Sequence, residues 1–194
     1  MNNDEIINLL SNLKHRIFPR SFERLAISGK DLVGVEVGVY KAYHAKSLLD
    51  NLDIKKLYLV DPYEVYEDYN EKKFINGVNN DPPDISKIEA QNRLSQYKNK
   101  LHWIFKKTSD ISDEIPSNLD FVYIDGNHSE NFVKTDILHF FSKIRPGGVI
   151  GGHDFYNGYC REHDGVIQAV IKFSVQNKLS LQVEFPDWWI RKEI

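Results

Sequence analysis

The sequence has few of the features that mark secreted or membrane proteins. Cys160 is the one cysteine in 194 residues, which excludes an intrachain disulfide and a thiolate metal cluster. The N-terminal stretch is acidic before it is apolar and contains no continuous apolar run, so we expect neither a signal peptide nor a membrane span. Its apolar residues recur at the spacing of an amphipathic helix: Ile6, Leu9, Leu10, Leu13 and Ile17. A reducing, cytoplasmic location fits these observations.

The chain also lacks an excess of positive charge. Its net charge is -3, its pI is near 6.2, and no dense stripe of Lys and Arg occurs, so we expect neither a nucleic-acid nor a membrane partner. Hydrophobic residues make up 41% of the chain and aromatic residues 12%, which is enough to bury a core. We predict a single domain over residues 1–194, with an N-terminal helical extension at 1–30.

Short apolar segments alternate with helix-like segments along the chain. The strand-length segments are Leu32–Val37, Leu57–Val60, Leu101–Phe105, Leu119–Ile124 and Val149–Gly151, and the helix-like ones are Ala42–Leu52, Ile85–Tyr97, Ser129–Ile144 and Gly165–Gln176. This alternation predicts an α/β fold with a doubly wound, Rossmann-like, mostly parallel sheet and helices on both faces. Two further strand-like runs flank Phe185-Pro186-Asp187 and predict a C-terminal antiparallel hairpin, which makes seven strands.

One segment between these elements is long and polar. Residues 63–85 are rich in Asn, Asp and Tyr and contain Pro82-Pro83. Long loops in compact domains are often functional, so we predict a lid-like insertion that sets acceptor specificity.

Polar residues follow each of the five predicted parallel strands. They are Gly38, Asp61, Thr108-Ser109-Asp110, Asp125 with Asn127-His128, and His153-Asp154. Each residue alone is compatible with helix capping. Because open α/β sheets bind ligands beyond the carboxyl ends of their strands, the whole set predicts a ligand site at that edge.

The loop after the first strand lacks the glycines of a dinucleotide-binding loop. That fingerprint needs three glycines, and here only Gly38 is present, with Tyr40 at the position of the second and Ala42 further on. A tyrosine side chain would obstruct a diphosphate. The loop therefore predicts a ligand with an amino-acid carboxylate or an adenosine edge.

Two carboxylates in this region are candidate ligand contacts. Glu36 lies in a strand covered on both sides, where its carboxylate needs a partner, and a ligand ammonium or a protein Lys, Arg or Tyr would both serve. Asp61 ends the second strand, where a carboxylate can accept hydrogen bonds from both ribose hydroxyls or cap the following turn.

Six segments together resemble a known family. VEVGVYKAYHAKSLL, LYLVDPY, TSDI, LDFVYIDGNHSENFVKTDI, IRPGGVIGGHDFY and GVIQAVIKF resemble, in that order, class I S-adenosylmethionine-dependent methyltransferases. The likeness spans residues 32–173 and is greatest to small single-domain O-methyltransferases with DGxH and GGxD motifs. It implies S-adenosyl-L-methionine as cofactor and O-methylation of a small hydroxylated acceptor, such as a sugar or glycan residue. A homodimer is compatible with the sequence.

The resemblance also implies roles for individual residues. Gly38 and its neighbours, Tyr40 included, would contact the methionine part of the cofactor, and Asp61 would bind its ribose. Ser109-Asp110 would lie near adenine, and Asp125 near the sulfonium. The sequence departs from the family at Ala42, where a second glycine is frequent.

Proton removal from an acceptor hydroxyl requires a base, and His128 and His153 are the candidates. We favour His153 because Asp154 can orient its ring; His128 is equally suited to capping the helix that starts at Ser129. The remaining histidines are expected to be structural or surface residues: His44, His102, His139 and His163.

The same motifs raise the question of a metal. Asp125, His153 and Asp154 would suit Mn²⁺, Fe²⁺ or Zn²⁺ better than Mg²⁺, and the sequence is equally consistent with no metal. Aromatic residues near the chain end would line an acceptor pocket or complete the core: Tyr156, Tyr159, Trp188 and Trp189. A nucleotide-dependent oxidoreductase and a non-catalytic S-adenosylmethionine-binding module are the alternative functions.

Overall fold

The computed structural model describes residues 18–64, 82–155 and 164–193. Seven strands form one sheet: β1 Leu32–Val37, β2 Ile54–Val60, β3 Leu101–Ile104, β4 Leu119–Ile124, β5 Ile144–Gly152, β6 Leu181–Glu184 and β7 Asp187–Arg191. Their spatial order is β3-β2-β1-β4-β5-β7-β6. Strands β1 to β5 are parallel, and β7 pairs antiparallel with both β5 and β6. The predicted mostly parallel sheet with a C-terminal hairpin is confirmed.

In the described ranges, four α-helices lie between the strands. They are α1 Tyr43–Asn51, α2 Pro83–Arg93, α3 Glu130–Lys143 and α4 Asp164–Asn177, and shorter helical turns occur at Phe22–Ala26, Ser95–Lys100 and Thr108–Asp110. Pro83 occupies the first turn of α2, where its missing N–H costs no hydrogen bond. No helix in the described ranges is both long and apolar enough to cross a membrane.

Apolar side chains from both faces of the sheet build two cores. The strands pack against α3 and α4 on one face, through residues such as Val122, Phe140 and Val170. On the other face they pack against α1, α2 and the N-terminal segment 18–27, through Leu48 and Phe22. A Cβ on Gly151 would lie 2.4 Å from the Phe22 ring, so the N-terminal segment packs closely on β5 only because that residue is glycine.

Several predicted boundaries differ from the structure. The strand β5 begins at Ile144, where the chain pairs with Leu119, and not at Val149 as predicted. Pro146 and Gly147 interrupt the apolar pattern of this strand, so the sequence does not show its first part. The predicted helix at 85–97 is α2 followed by a separate turn, and α2 begins inside the predicted insertion 63–85. Residues 65–81 of that insertion, and residues 1–17 of the predicted N-terminal extension, lie outside the described ranges.

Candidate active site at the carboxyl ends of the strands

Backbone hydrogen bonds bring the predicted strand-end residues to one edge of the sheet. Gly38 N donates to Val60 O at 2.9 Å, and Asp61 N donates to Ile104 O at 3.1 Å. Asp125 N donates to Val37 O at 2.7 Å, and His153 N donates to Ile124 O at 3.0 Å. The residues that follow β1, β2, β4 and β5 therefore lie side by side at one edge of the sheet.

The loop after β1 has the backbone shape that glycines would give it. Its φ angles are 81° at Gly38, 48° at Tyr40 and 59° at Ala42. The left-handed region costs a non-glycine residue about 1–2 kcal/mol. A Cβ on Gly38 would lie 2.1 Å from the carbonyl oxygen of Asp125, so glycine is obligatory there. The sequence showed that glycines are missing, but not that their conformation is retained.

The carboxylate of Asp61 holds this loop in place. Its Oδ2 accepts hydrogen bonds from the N–H groups of Val39 and Tyr40, each at 2.9 Å, and its Oδ1 accepts one from Tyr63 N at 2.8 Å. The Tyr63 hydroxyl in turn donates to the carbonyl of Tyr40 at 2.8 Å. Burial raises the pKa of Asp61, although these backbone bonds lower it in part. A carboxylate offers about four acceptor positions, so one remains for a ligand hydroxyl.

Comparing glycine with alanine at position 40 tests the strain in the loop. We expect Tyr40→Gly to be more stable than Tyr40→Ala, with a free energy of unfolding about 0.5–1 kcal/mol higher. The reason is that relief of the strain at a left-handed residue exceeds the entropic cost of glycine. Both variants lose the same ring, and urea unfolding measures the difference. At the exposed helical position Gln91 in α2, the glycine variant should instead be less stable than the alanine variant. Equal stability of the two position-40 variants would show that the loop relaxes.

Glu36 pairs with a histidine rather than with the Lys, Arg or Tyr that the sequence suggested. Its Oε1 lies 3.0 Å from His44 Nδ1, and His44 Nε2 lies 3.1 Å from Glu23 Oε1. Burial lowers the pKa of His44, but the two carboxylates outweigh it and leave the pKa raised, which favours the imidazolium. Burial raises the pKa of Glu36. The Oε2 of Glu36 is buried and has no hydrogen-bond partner among the described residues.

Asp125 is paired with an arginine from the N-terminal segment. Arg20 Nη1 lies 2.8 Å from Asp125 Oδ2 and also donates to the hydroxyl of Tyr123. The guanidinium lies 5.4 Å from the centroids of the Phe18 and Tyr123 rings. Burial alone would raise the pKa of Asp125, but Arg20 outweighs this and leaves it lowered. No local motif marked Arg20, because it lies 105 residues from Asp125 in the sequence.

The three predicted catalytic residues lie together. Asp154 Oδ2 is 2.8 Å from His128 Nε2, and its Oδ1 is 3.2 Å from His153 Nδ1. Burial raises the pKa of Asp154, but His128 and His153 lower it well below the usual range. Burial lowers the pKa of His128, yet Asp154 leaves it raised overall. A single carboxylate therefore orients both imidazoles.

The two histidines differ in exposure. The side chain of His128 is 18% exposed, whereas that of His153 is 3% exposed. Asn127 Oδ1 accepts a hydrogen bond from Ser129 N at 2.9 Å. The side chain that bonds the backbone just before α3 is therefore that of Asn127, not that of His128. Both histidines line a small cavity together with Asp125 and Trp188. Trp188 is fully buried and belongs to the core; Tyr156 and Tyr159 lie outside the described ranges.

Three side chains in this cluster converge closely enough for a metal ion. One ligand atom from each of Asp125, His128 and Asp154 lies within 4.8 Å of the others. This set contains His128 where the sequence suggested His153, whose Nδ1 is 3.9 Å from Asp125 Oδ1. Two carboxylates and an imidazole fit Mn²⁺, Fe²⁺ or Zn²⁺.

The residues predicted near adenine lie on the turn after β3. Ser109 Oγ donates to Asp110 Oδ1 at 2.9 Å, and both residues are exposed. The rings of Tyr63, three residues after β2, and Phe105, directly after β3, lie 6.0 Å apart. Sequence reasoning missed this pair of rings, although Phe105 directly follows a strand end.

Comparison with known proteins identifies the family of the chain. A family model described as a methyltransferase domain matches residues 33–155. No curated protein matches the sequence significantly. Three similar solved structures are an O-methyltransferase from Bacillus cereus, the N-methyltransferase NodS from Bradyrhizobium japonicum and an rRNA methylase from Streptococcus thermophilus. The first two were solved with S-adenosyl-L-homocysteine.

These three likenesses are in fold. The Bacillus cereus enzyme is 15% identical with a TM-score of 0.60, covering 96% of this chain and 87% of its own. NodS is 14% identical with a TM-score of 0.56, covering 88% and 82%. The rRNA methylase is 12% identical with a TM-score of 0.59, covering 92% and 99%. Since the family model spans more than half of the sequence, the chain belongs to the methyltransferase domain family and is a class I S-adenosylmethionine-dependent methyltransferase.

Proposed function

We propose that the protein transfers a methyl group from S-adenosyl-L-methionine to a hydroxyl of a small acceptor, such as a sugar or glycan residue. The observation that carries the cofactor assignment is the buried Oε2 of Glu36, which has no hydrogen-bond partner in the described part of the chain. Glu36 is one residue from the end of β1 and two from Gly38. Such an atom needs a donor, and a ligand ammonium supplies one. The net charge of -3 favours a small acceptor over RNA.

We assign the rest of the cofactor to the other strand-end residues. Gly38 lets the loop after β1 pack against the backbone of Asp125, and the left-handed Tyr40 continues the turn. We assign the methionine part of the cofactor to this loop. Asp61 retains one acceptor position for a ribose hydroxyl, and Ser109 and Asp110 border the adenine side. We assign Asp125 to the sulfonium side of the cofactor, as the family resemblance implies. The cofactor, when bound, supplies the activated methyl group.

The remaining step is removal of the acceptor proton, and we assign it to the cluster around Asp154. His128 is more exposed than His153, which favours it as the group that meets an acceptor hydroxyl. Asp154 fixes its ring orientation and stabilises the imidazolium that forms. His153, on the other side of the same carboxylate, supports the geometry of Asp154.

A metal would be held by Asp125, His128 and Asp154, and would polarise the acceptor oxygen. We expect activity to survive treatment with EDTA, because Asp125 is already paired with Arg20, and Asp154 already lies within hydrogen-bond distance of His128 and His153. The measurement is S-adenosylhomocysteine formation before and after chelation. Activity that is lost and then restored by Mn²⁺, Fe²⁺ or Zn²⁺ would show that the cluster is a metal centre.

Calorimetry followed by an acceptor screen tests the function. We expect the protein to bind S-adenosylhomocysteine but not NADH, and to form S-adenosylhomocysteine when hydroxylated sugars or phenols are supplied. Binding of NADH alone would favour a nucleotide-dependent oxidoreductase, which the Tyr40 side chain disfavours. Cofactor binding without turnover on any acceptor would favour a non-catalytic module.

A further inference from the structure

Arg20 is a buried cation that no motif of the site includes. Its side chain is 11% exposed and comes from the N-terminal segment 18–27, outside the sheet. One end of its guanidinium is fixed by Asp125 and by the Tyr123 hydroxyl, both through Nη1. Its Nε is buried and has no hydrogen-bond partner among the described residues. Because a buried donor without an acceptor is costly, this nitrogen indicates a missing ligand group.

Two buried atoms of opposite kind therefore have no hydrogen-bond partner among the described residues, since Arg20 Nε is a donor and Glu36 Oε2 is an acceptor. The Arg20 guanidinium lies 5.4 Å from the centroids of the Phe18 and Tyr123 rings, and the His44 ring lies 6.1 Å and 4.0 Å from the same two centroids. Because Glu36 Oε1 is 3.0 Å from His44 Nδ1, the guanidinium and the Glu36 carboxylate belong to the same cluster. An α-amino acid carries the complementary pair, a carboxylate that accepts and an ammonium that donates.

We propose that Arg20 binds the α-carboxylate of S-adenosylmethionine through Nε, so that the N-terminal segment forms part of the cofactor site. This inference rests on the proposed function. Arg20 is thereby the residue that distinguishes a cofactor with an intact amino-acid end from one without a carboxylate. The bonds to Asp125 and Tyr123 hold the guanidinium in position for that contact.

Calorimetry with two ligands isolates the carboxylate contact. We expect the wild type to bind S-adenosylmethionine ~10- to 100-fold more tightly than decarboxylated S-adenosylmethionine, the usual range for a hydrogen bond to a charged group. In Arg20→Gln this preference should fall to within about 3-fold, with affinity for the decarboxylated ligand little changed. Because both ligands meet the same folded variant, a general loss of stability does not alter the ratio.

Two further variants complete the experiment. Arg24→Gln removes the same charge from an exposed position of the same segment and should keep the wild-type preference. Arg20→Lys keeps a cation for Asp125 but lacks Nε, so it should also lose most of the preference for S-adenosylmethionine. It replaces Arg20→Gln in the measurement if Arg20→Gln does not fold.

The outcomes separate this inference from the proposed function. Wild-type protein that binds neither ligand would contradict the function itself. Wild-type binding with an unchanged preference in both Arg20 variants would overturn the role of Arg20 and leave the function intact. Tighter binding of S-adenosylmethionine by Arg20→Gln would also overturn the role of Arg20. It would show that Arg20 competes with the cationic groups of the ligand for the same carboxylates.

Discussion

Replacing Asp136 with asparagine is expected to raise the free energy of unfolding at pH 8 by up to about 4 kcal/mol. Asp136 lies on the buried face of α3, is 5% exposed, and bonds the side chain of Thr108. Burial raises its pKa from 3.8 to about 7. That difference corresponds to about 4 kcal/mol by linkage. Asparagine has nearly the same shape and carries no charge to bury.

The sign of this effect fixes its pH window. The folded protein holds the proton more tightly than the unfolded chain, so the favourable contribution is complete below pH 3.8 and is lost as pH rises to about 7. Urea unfolding of the wild type and of Asp136→Asn from pH 4 to pH 8 measures this effect. The difference between their free energies of unfolding should grow as pH rises. Asp113→Asn, at an exposed position, should track the wild type throughout. A constant gap between wild type and Asp136→Asn would contradict the assigned ionisation.

His128→Ala is expected to reduce kcat by ~10²- to 10⁴-fold, the usual contribution of a general base. Its affinity for S-adenosylhomocysteine should stay near that of the wild type, because the ring contacts Asp154 rather than the loop after β1. Turnover measured by S-adenosylhomocysteine release and affinity measured by calorimetry give the two quantities separately.

Two other histidine variants make the assignment specific. His102→Ala changes an exposed histidine on β3, outside the site, and should retain full turnover. His153→Ala should lower turnover less than His128→Ala does, because His153 is nearly inaccessible and acts on Asp154. If His153→Ala instead abolishes turnover and His128→Ala does not, His153 is the base, as the sequence suggested.

The strand-end residues show how far sequence reasoning reached. Asp61, Asp125 and His153 each follow an apolar run, and parallel strands end at one edge, so their gathering was predictable. Their partners were not. Asp61 binds loop N–H groups and Asp125 binds Arg20, which depends on how the N-terminal segment lies across the sheet.

The sequence alone determined the order of elements, the terminal hairpin and the family, because these depend on local apolar periodicity and on short motifs in fixed order. Tertiary structure decided which charges meet and which backbone conformations are held. Tyr40 and Ala42 keep positive φ because Asp61 and the neighbouring backbone hold their loop, not because their own side chains favour it. Likewise Arg20 Nε and Glu36 Oε2 are buried without a hydrogen-bond partner among residues 18–64, 82–155 and 164–193 only because segments distant in the sequence pack together, since burial is a property of the whole fold.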